Sequence, residues 1–448
     1  MNGIDELAAL IAGLRIDDMA AATLDQLRLH VADTIGAWIG AMQTAEGKSL
    51  MAYRNRRRLS GSTGDDLADN LAVDCALARL SEIDDIHLAS MTTPGSIVIP
   101  AAMNLAAALS DADIGDVAAA MLAGYEAMIR LGLAIKGPNI LYRGIWPTYY
   151  AAGFAVAAVA ARLMRFDERQ TAQALALALN LASPAVGQHH AATTARWFLV
   201  GNAARSGLTA ALAARAGFTA DTDVLRSRLL PDVYGIEPDL TAMSEMDGTA
   251  ALTRVAFKPW CAARQTMAAT QALLEIIHSG VAVAAISEVT AYVLPPHLKM
   301  VDHGVHLGNR ASFLTSLPYQ LAMMALHPEA MLGLGEPAEQ LLPALRAFMA
   351  RVRVAADDSL LADYPSAWPA CVVVTTPSGR HQRRVRDIPG DPARPFSEAD
   401  IGSKFQRCVA PGDGGEEAAK RLWQASTSVL RSRESLWSMM RDLSRVMG

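Results

Sequence analysis

Charge is what this sequence has least of. Of its 448 residues only 19% are Asp, Glu, Lys or Arg, against about 25% in ordinary soluble domains. Hydrophobic residues make up 52%, so a large core is expected, with part of the surface covered by a second copy of the chain. The net charge is −5, and no basic face for nucleic acid is visible. The densest basic run, Arg54 to Arg58, lies beside a Gly/Ser turn and reads as a solvated loop. Cysteine is sparse too: Cys75, Cys261, Cys371 and Cys408 are scattered and form no CxxC pair. A zinc ribbon or clustered iron–sulfur site is therefore not expected, no metal or other cofactor is called for, and a reduced, cytoplasmic setting fits. Asp5 and Glu6 stand where an export signal needs basic residues. The uncharged stretch from Gln170 to Ala195 contains Gln173, Asn180, Pro184, Gln188, His189 and His190. These polar groups argue against a membrane span and for a buried helix ending near Pro184, then a polar loop. There is no fixed-period repeat.

What is present is mostly helical. Up to about residue 255, Ala-rich segments recur between short Gly/Asp/Pro breaks. Asp116 is placed to cap a helix running to about Ala134. Ala151 to Met164, small and apolar on every side, predicts a fully buried helix. A helix over Asn202 to Ala216 stops at Gly217. After Lys258 the character changes. Ser287–Leu294 and Arg351–Ala355 alternate as strands do, and Ala370–Thr376, Pro-Ser-Gly and His381–Val385 read as a hairpin. Helical pattern lies between them, over Ser316–Leu326 and Pro337–Ala350, and returns from Ser397. The expected fold class is mainly α with a smaller α+β lid domain. The expected division is residues 1–257 helical, 258–395 α+β, and 396–448 returning to the helical part.

Five constellations could carry chemistry. Glu82, Asp84, Asp85 and His87 fall within six positions, followed by Thr92-Thr93-Pro94-Gly95. Carboxylates beside an imidazole, in an apolar background, are the raw material of proton transfer; a polar loop with a helix cap would look the same. Arg143 to Thr148 combines an arginine with Trp146 at a turn. Gln188, His189 and His190 run on through Arg196 and Trp197, a combination suited to anions. Lys258 and Arg264 stand six apart on the junction between the two regions, with Cys261 between them, where packing is the simpler reading. Tyr319 follows Ser316 at a helix start and could donate a proton.

In their order along the chain these segments resemble the MmgE/PrpD family. Asp33 to Gly36 resembles its D-x-x-G element, and Glu82 to Asp85 its acidic D-x-D-D motif. Thr93-Pro94-Gly95 is similar to its His-Pro-Gly turn, Gly124-Tyr125-Glu126 to its G-Y-E helix, and Gly144 to Thr148 to its G-x-H-P-T turn. Arg196 to Ala204 resembles its K-x-x-H-x-G-x-A-A helix start. Lys258-Pro259-Trp260 resembles its K-P-Y-P-C junction, Ser316 to Ala322 the segment with its active-site tyrosine, and Lys404-Phe405 its C-terminal K-F. The resemblance implies a helical domain from both ends of the chain plus a smaller α+β lid, a homodimer, and an active site in the cleft between domains. It also marks departures. Trp146 and Thr93 stand at family histidines, Arg196 at a lysine, Leu199 at a histidine, Glu82 at an aspartate and Ile86 at a threonine, while Met267 falls near another histidine.

The implied activity is a metal-independent lyase of the hydratase/dehydratase type. It would act beside a carboxylate of a small organic acid through an enolate-like intermediate. Decarboxylation or epimerisation of a more apolar or aromatic acid is the alternative, and a non-catalytic member of the family is another. The expected catalytic groups are Asp84, His87, Tyr319 and Glu82. Arg196, Lys258, Arg264, Trp146, Thr93, Asp85, His189 and His190 are expected to contact the substrate. Neither nucleic acid nor membrane is an expected partner.

Overall fold

In the computed structural model the described residues are 2–55, 67–183, 193–244, 251–412 and 414–447. Their contacts separate into two units. Unit 1 holds nearly everything up to Val255 together with Ser397 onward; unit 2 holds Ala256–Phe396. The molecule is mainly α, with one small sheet, which lies in unit 2.

Unit 1 is an all-helical assembly. Its centre is the pair Ile114–Ala134 and Pro147–Leu163, flanked by Leu67–Leu80, Gly95–Ala108 and Ala195–Arg215. Small side chains make this possible. A Cβ on Gly207 would sit 2.1 Å from the carbonyl oxygen of Gly153, so two helix backbones touch there. Among the described residues only Ile114–Ala134 is long and apolar enough to cross a membrane, and 94% of its apolar window is buried inside the fold. Its N-cap is Asp113, whose side chain accepts from the Gly115 amide at 2.8 Å. The expected cap, Asp116, is one turn in and pairs with Arg162 at 3.0 Å instead. The helix expected to end near Pro184 runs Glu168–Asn180. Most of the Arg54–Arg58 run, from Arg56, lies outside the described residues; Arg54 itself pairs with buried Asp74 at 2.8 Å.

Unit 2 carries four strands in the order β2-β1-β3-β4: β1 Glu288–Val293, β2 Val352–Ala356, β3 Ala370–Thr376 and β4 Gly379–Val385. β1 and β2 are parallel, and β3 is antiparallel to both β1 and β4. The β3–β4 hairpin closes with Thr376 opposite Gly379, whose φ of 135° only glycine adopts readily. The helix Arg264–His278 packs on β3 and β4 with its apolar face. All four cysteines are buried, and among the described residues none forms a disulfide.

Candidate functional site

The helix Leu67–Leu80 ends at the acidic run, and the helix Gly95–Ala108 begins after it. Between them residues 81–94 have no regular structure, yet all but Ala89 are buried. Connecting segments usually run over the surface, because irregular backbone needs water to satisfy its polar groups. Here the protein supplies the partners. The His87 amide donates to the Thr92 carbonyl at 2.8 Å, and the Met91 amide to that of Leu88 at 3.1 Å. Lys404, arriving from the helix Glu398–Val409, donates to the Ile83 carbonyl at 2.8 Å and pairs with Asp33 at 2.7 Å.

Asp85 is the loop's internal anchor. One oxygen accepts from the Gly95 amide at 2.8 Å; the other accepts from the Tyr125 hydroxyl at 2.7 Å and lies 2.9 Å from His30 Nδ1. With both oxygens engaged and the side chain fully enclosed, Asp85 does not present itself to a substrate as the sequence suggested. Thr93 is also spoken for: its amide donates to the Thr148 hydroxyl at 3.1 Å, and the two hydroxyls are 3.2 Å apart.

Glu82 and Asp84 converge on Arg79, one turn back. The same guanidinium nitrogen, Nη1, lies 3.0 Å from Glu82 Oε2 and 3.2 Å from Asp84 Oδ1. Burial alone would lower the Arg79 pKa, but the two carboxylates outweigh it and raise it further, so the cation is permanent. Glu82 has φ of 58°, the left-handed region in which a non-glycine residue is strained. Such strain persists where surrounding structure fixes it and is frequent at functional sites. Asp84 is fully enclosed, whereas Glu82 keeps some accessible surface.

Across from this group stands an aromatic clamp. Trp146 caps the helix Pro147–Leu163, and Tyr149 lies one turn in, its ring edge-on to Trp146 at 5.8 Å. The Arg196 guanidinium lies 4.3 Å from the Trp146 ring and 4.8 Å from that of Trp197. A planar cation stacked on aromatics is held in orientation while its edge stays free to bind a carboxylate. Trp146 thus acts on Arg196, and its stacked face is not open to a substrate ring. Burial raises the Tyr149 pKa; Arg196 and Arg79 pull it partly back, and Glu82 pushes it up. Arg79, Glu82 and Arg196, all in unit 1, are each near enough to act on Tyr149.

His87 is not part of that group. Its Nδ1 is 2.9 Å from the Ser90 hydroxyl, and it lines a separate cavity of about 280 Å³ with Glu126, Arg130, Asp239 and Arg254. Burial first, then the Arg254 charge, lowers its pKa to about 4. Asp84 and His87, both expected to be catalytic, thus face different surroundings, Arg79 for Asp84 and this cavity for His87. His189 and His190 lie outside the described residues.

The remaining candidates belong to unit 2. Lys258 is buried. Arg264, expected to hold a substrate carboxylate, instead grips an internal one: its Nη2 donates to both oxygens of Asp391, at 2.9 and 2.7 Å, and both side chains are enclosed. Tyr319 donates its amide to the Ser316 cap at 3.3 Å and stacks edge-on with Phe313 at 5.1 Å. Burial raises its pKa, so its hydroxyl remains protonated and able to donate.

Sequence reasoning missed Arg79, Tyr149 and Lys404 as site-builders. The first two had a signal: each stands three residues from a singled-out position, Arg79 before Glu82 and Tyr149 after Trp146, at an end of a helix. Comparison with known families bears on the whole arrangement. The model for the MmgE/PrpD N-terminal domain matches residues 5–230, and that for the MmgE/PrpD C-terminal domain matches 260–428. No curated protein matches the sequence. With both domains of one family matched in order over most of its length, the chain belongs to the MmgE/PrpD family.

Proposed function

We propose that this protein is a dehydratase-type lyase that acts next to a carboxylate of a small organic acid. Family membership supports a dehydratase or related enzyme in general. The observation that carries the finer reading is the group in unit 1. A strained, incompletely buried Glu82 rests on Arg79, within electrostatic reach of the same tyrosine as an Arg196 fixed on Trp146. In this reading Arg196 binds a substrate carboxylate through its free edge. Glu82 takes the proton from the adjacent carbon, and the electron pair delocalises into that carboxylate. The fixed guanidinium stabilises the developing charge without having to reorganise. The hydroxyl on the next carbon then departs as water, taking a proton from an acid in the site and leaving an unsaturated acid. Asp84, fully enclosed, holds Arg79 and thereby Glu82.

The test is turnover. Purified protein is incubated with 2-methylcitrate, citrate, cis-aconitate and related hydroxy acids, and unsaturated product is followed by ultraviolet absorbance, with carbon dioxide release and loss of optical activity monitored in parallel. One acid of the panel should be dehydrated or hydrated, and Glu82→Gln should lose about 10²–10⁴-fold in kcat, the usual contribution of a general base. No turnover of any acid, or a Glu82→Gln variant as fast as the parent, sinks the assignment. Product formed only by decarboxylation or epimerisation replaces dehydration with that reaction.

A further inference from the structure

Tyr149 is a residue that neither the sequence motifs nor the family assignment singles out. It is 1% exposed. Buried tyrosine hydroxyls nearly always find a hydrogen-bond partner, because an unsatisfied one costs about 1–3 kcal/mol. Among the described residues no acceptor is aligned with the Tyr149 hydroxyl proton; the Arg196 guanidinium is near enough to donate to the hydroxyl oxygen, and the Arg79 and Glu82 charges act on it as well. Its ring is buried and meets Trp146 edge-on at 5.8 Å, and Trp146 in turn lies 4.3 Å from the Arg196 guanidinium. By contrast the next residue, Tyr150, faces another aromatic, Tyr234, at 6.4 Å. A donor kept without an aligned acceptor, between the cation that would bind a carboxylate and the carboxylate that would act as base, is a donor held in reserve.

We propose that the Tyr149 hydroxyl donates a hydrogen bond to the substrate carboxylate oxygen on which negative charge develops, beside Arg196. No proton changes hands in this role. The phenol stays protonated, which its raised pKa ensures, and the bond strengthens as the enolate-like charge forms. Tyr149 then supplies a polar contact in a stretch where Trp146 and Thr93 stand at positions the family fills with histidine. The inference rests on the dehydratase reading.

The test is Tyr149→Phe, which removes one oxygen and leaves the ring. Loss of one charge-stabilising donor should lower kcat about 10²-fold, with KM within about threefold of the parent. The melting temperature should stay within a few degrees of the parent, because the hydroxyl proton has no aligned acceptor among the described residues to lose. A purely structural tyrosine gives the reverse: a lower melting temperature with kcat unchanged. In parallel, calorimetry measures binding of tricarballylate, an unreactive tricarboxylate, to parent and variant; about tenfold weaker binding or less is expected. If the parent turns over substrate and Glu82→Gln is dead while Tyr149→Phe retains full kcat, this inference falls and the dehydratase reading stands. If the parent neither turns over any acid nor binds tricarballylate, both fall.

Discussion

Gly95 shows how little slack the acidic loop has. A Cβ there would lie 2.6 Å from Asp85 Oδ2 and 2.8 Å from the Thr34 hydroxyl, and both belong to the packing that fixes the loop. The amide of the same residue must come within 2.8 Å of Asp85, so the absence of a side chain is what permits the anchor. Gly95→Ala should therefore force the loop or the helix start to move, at a cost of about 1–3 kcal/mol typical of overpacking. Urea denaturation reads that cost, and a variant as stable as the parent would show that the contact can relax. Arg264 and Asp85 make a different point at the same scale. Each is a charged residue of the type that binds ligands, and each is enclosed and held by an internal partner, Asp391 for Arg264 and Tyr125 for Asp85. A sequence reports that a charge is present; only the neighbours brought from Asp391, His30 and Tyr125 decide whether it is spent on the fold.

The element that holds the loop from outside is the helix Glu398–Val409. Its Lys404 joins two partners, Asp33 and the Ile83 carbonyl. Lys404→Met should leave Asp33 buried without its cation and cost about 3–5 kcal/mol, as broken buried pairs do. The double variant Asp33→Asn, Lys404→Met should recover part of that, and equal instability of single and double variants would mean that the pair contributes nothing. Burial already raises the Asp33 pKa despite the lysine, so protonation offers the single variant partial relief. At this scale much was legible. The strands were visible because β-branched alternation and a Pro-Ser-Gly turn are local signals, and they appear at Glu288–Val293, Val352–Ala356 and the 370–385 hairpin. The buried helix after Trp146 was equally plain, since Ala151 to Ala161 carries no polar side chain. The Lys404 bond to the loop was not, because the two residues are 321 positions apart and only tertiary packing brings them together. The separate surroundings of His87 and Asp84 were also hidden, since the bridge that pairs His87 with Thr92 carries no periodicity to read.

Across the whole molecule, buried titratable groups set an acid sensitivity whose sign can be worked out. His87 titrates at about 4 and His297 at about 3, both lowered first by burial from the usual value near 6.5. The unfolded chain therefore takes up these protons at a higher pH than the folded one. Stability is fully present above about pH 6.5 and drains as pH falls toward 4 and 3. Asp74 works in the opposite sense. Burial raises it to about 6, so between pH 6 and 3.8 the folded state binds the proton first and is favoured by acid. Asp74 and His87 share unit 1 and offset each other; His297 stands in unit 2. Asp74→Asn should thus steepen the acid loss of stability in unit 1, measured by denaturant titration at pH 7 and pH 4.5. An unchanged or shallower slope would contradict the assignment. One consequence concerns biosynthesis. Because the lysine that ties down the acidic loop is translated more than three hundred residues after it, a nascent chain can assemble many of its helices while that loop is still untethered. A chain cut before Lys404 should therefore form helices yet leave the buried segment around Ile83 without its tether.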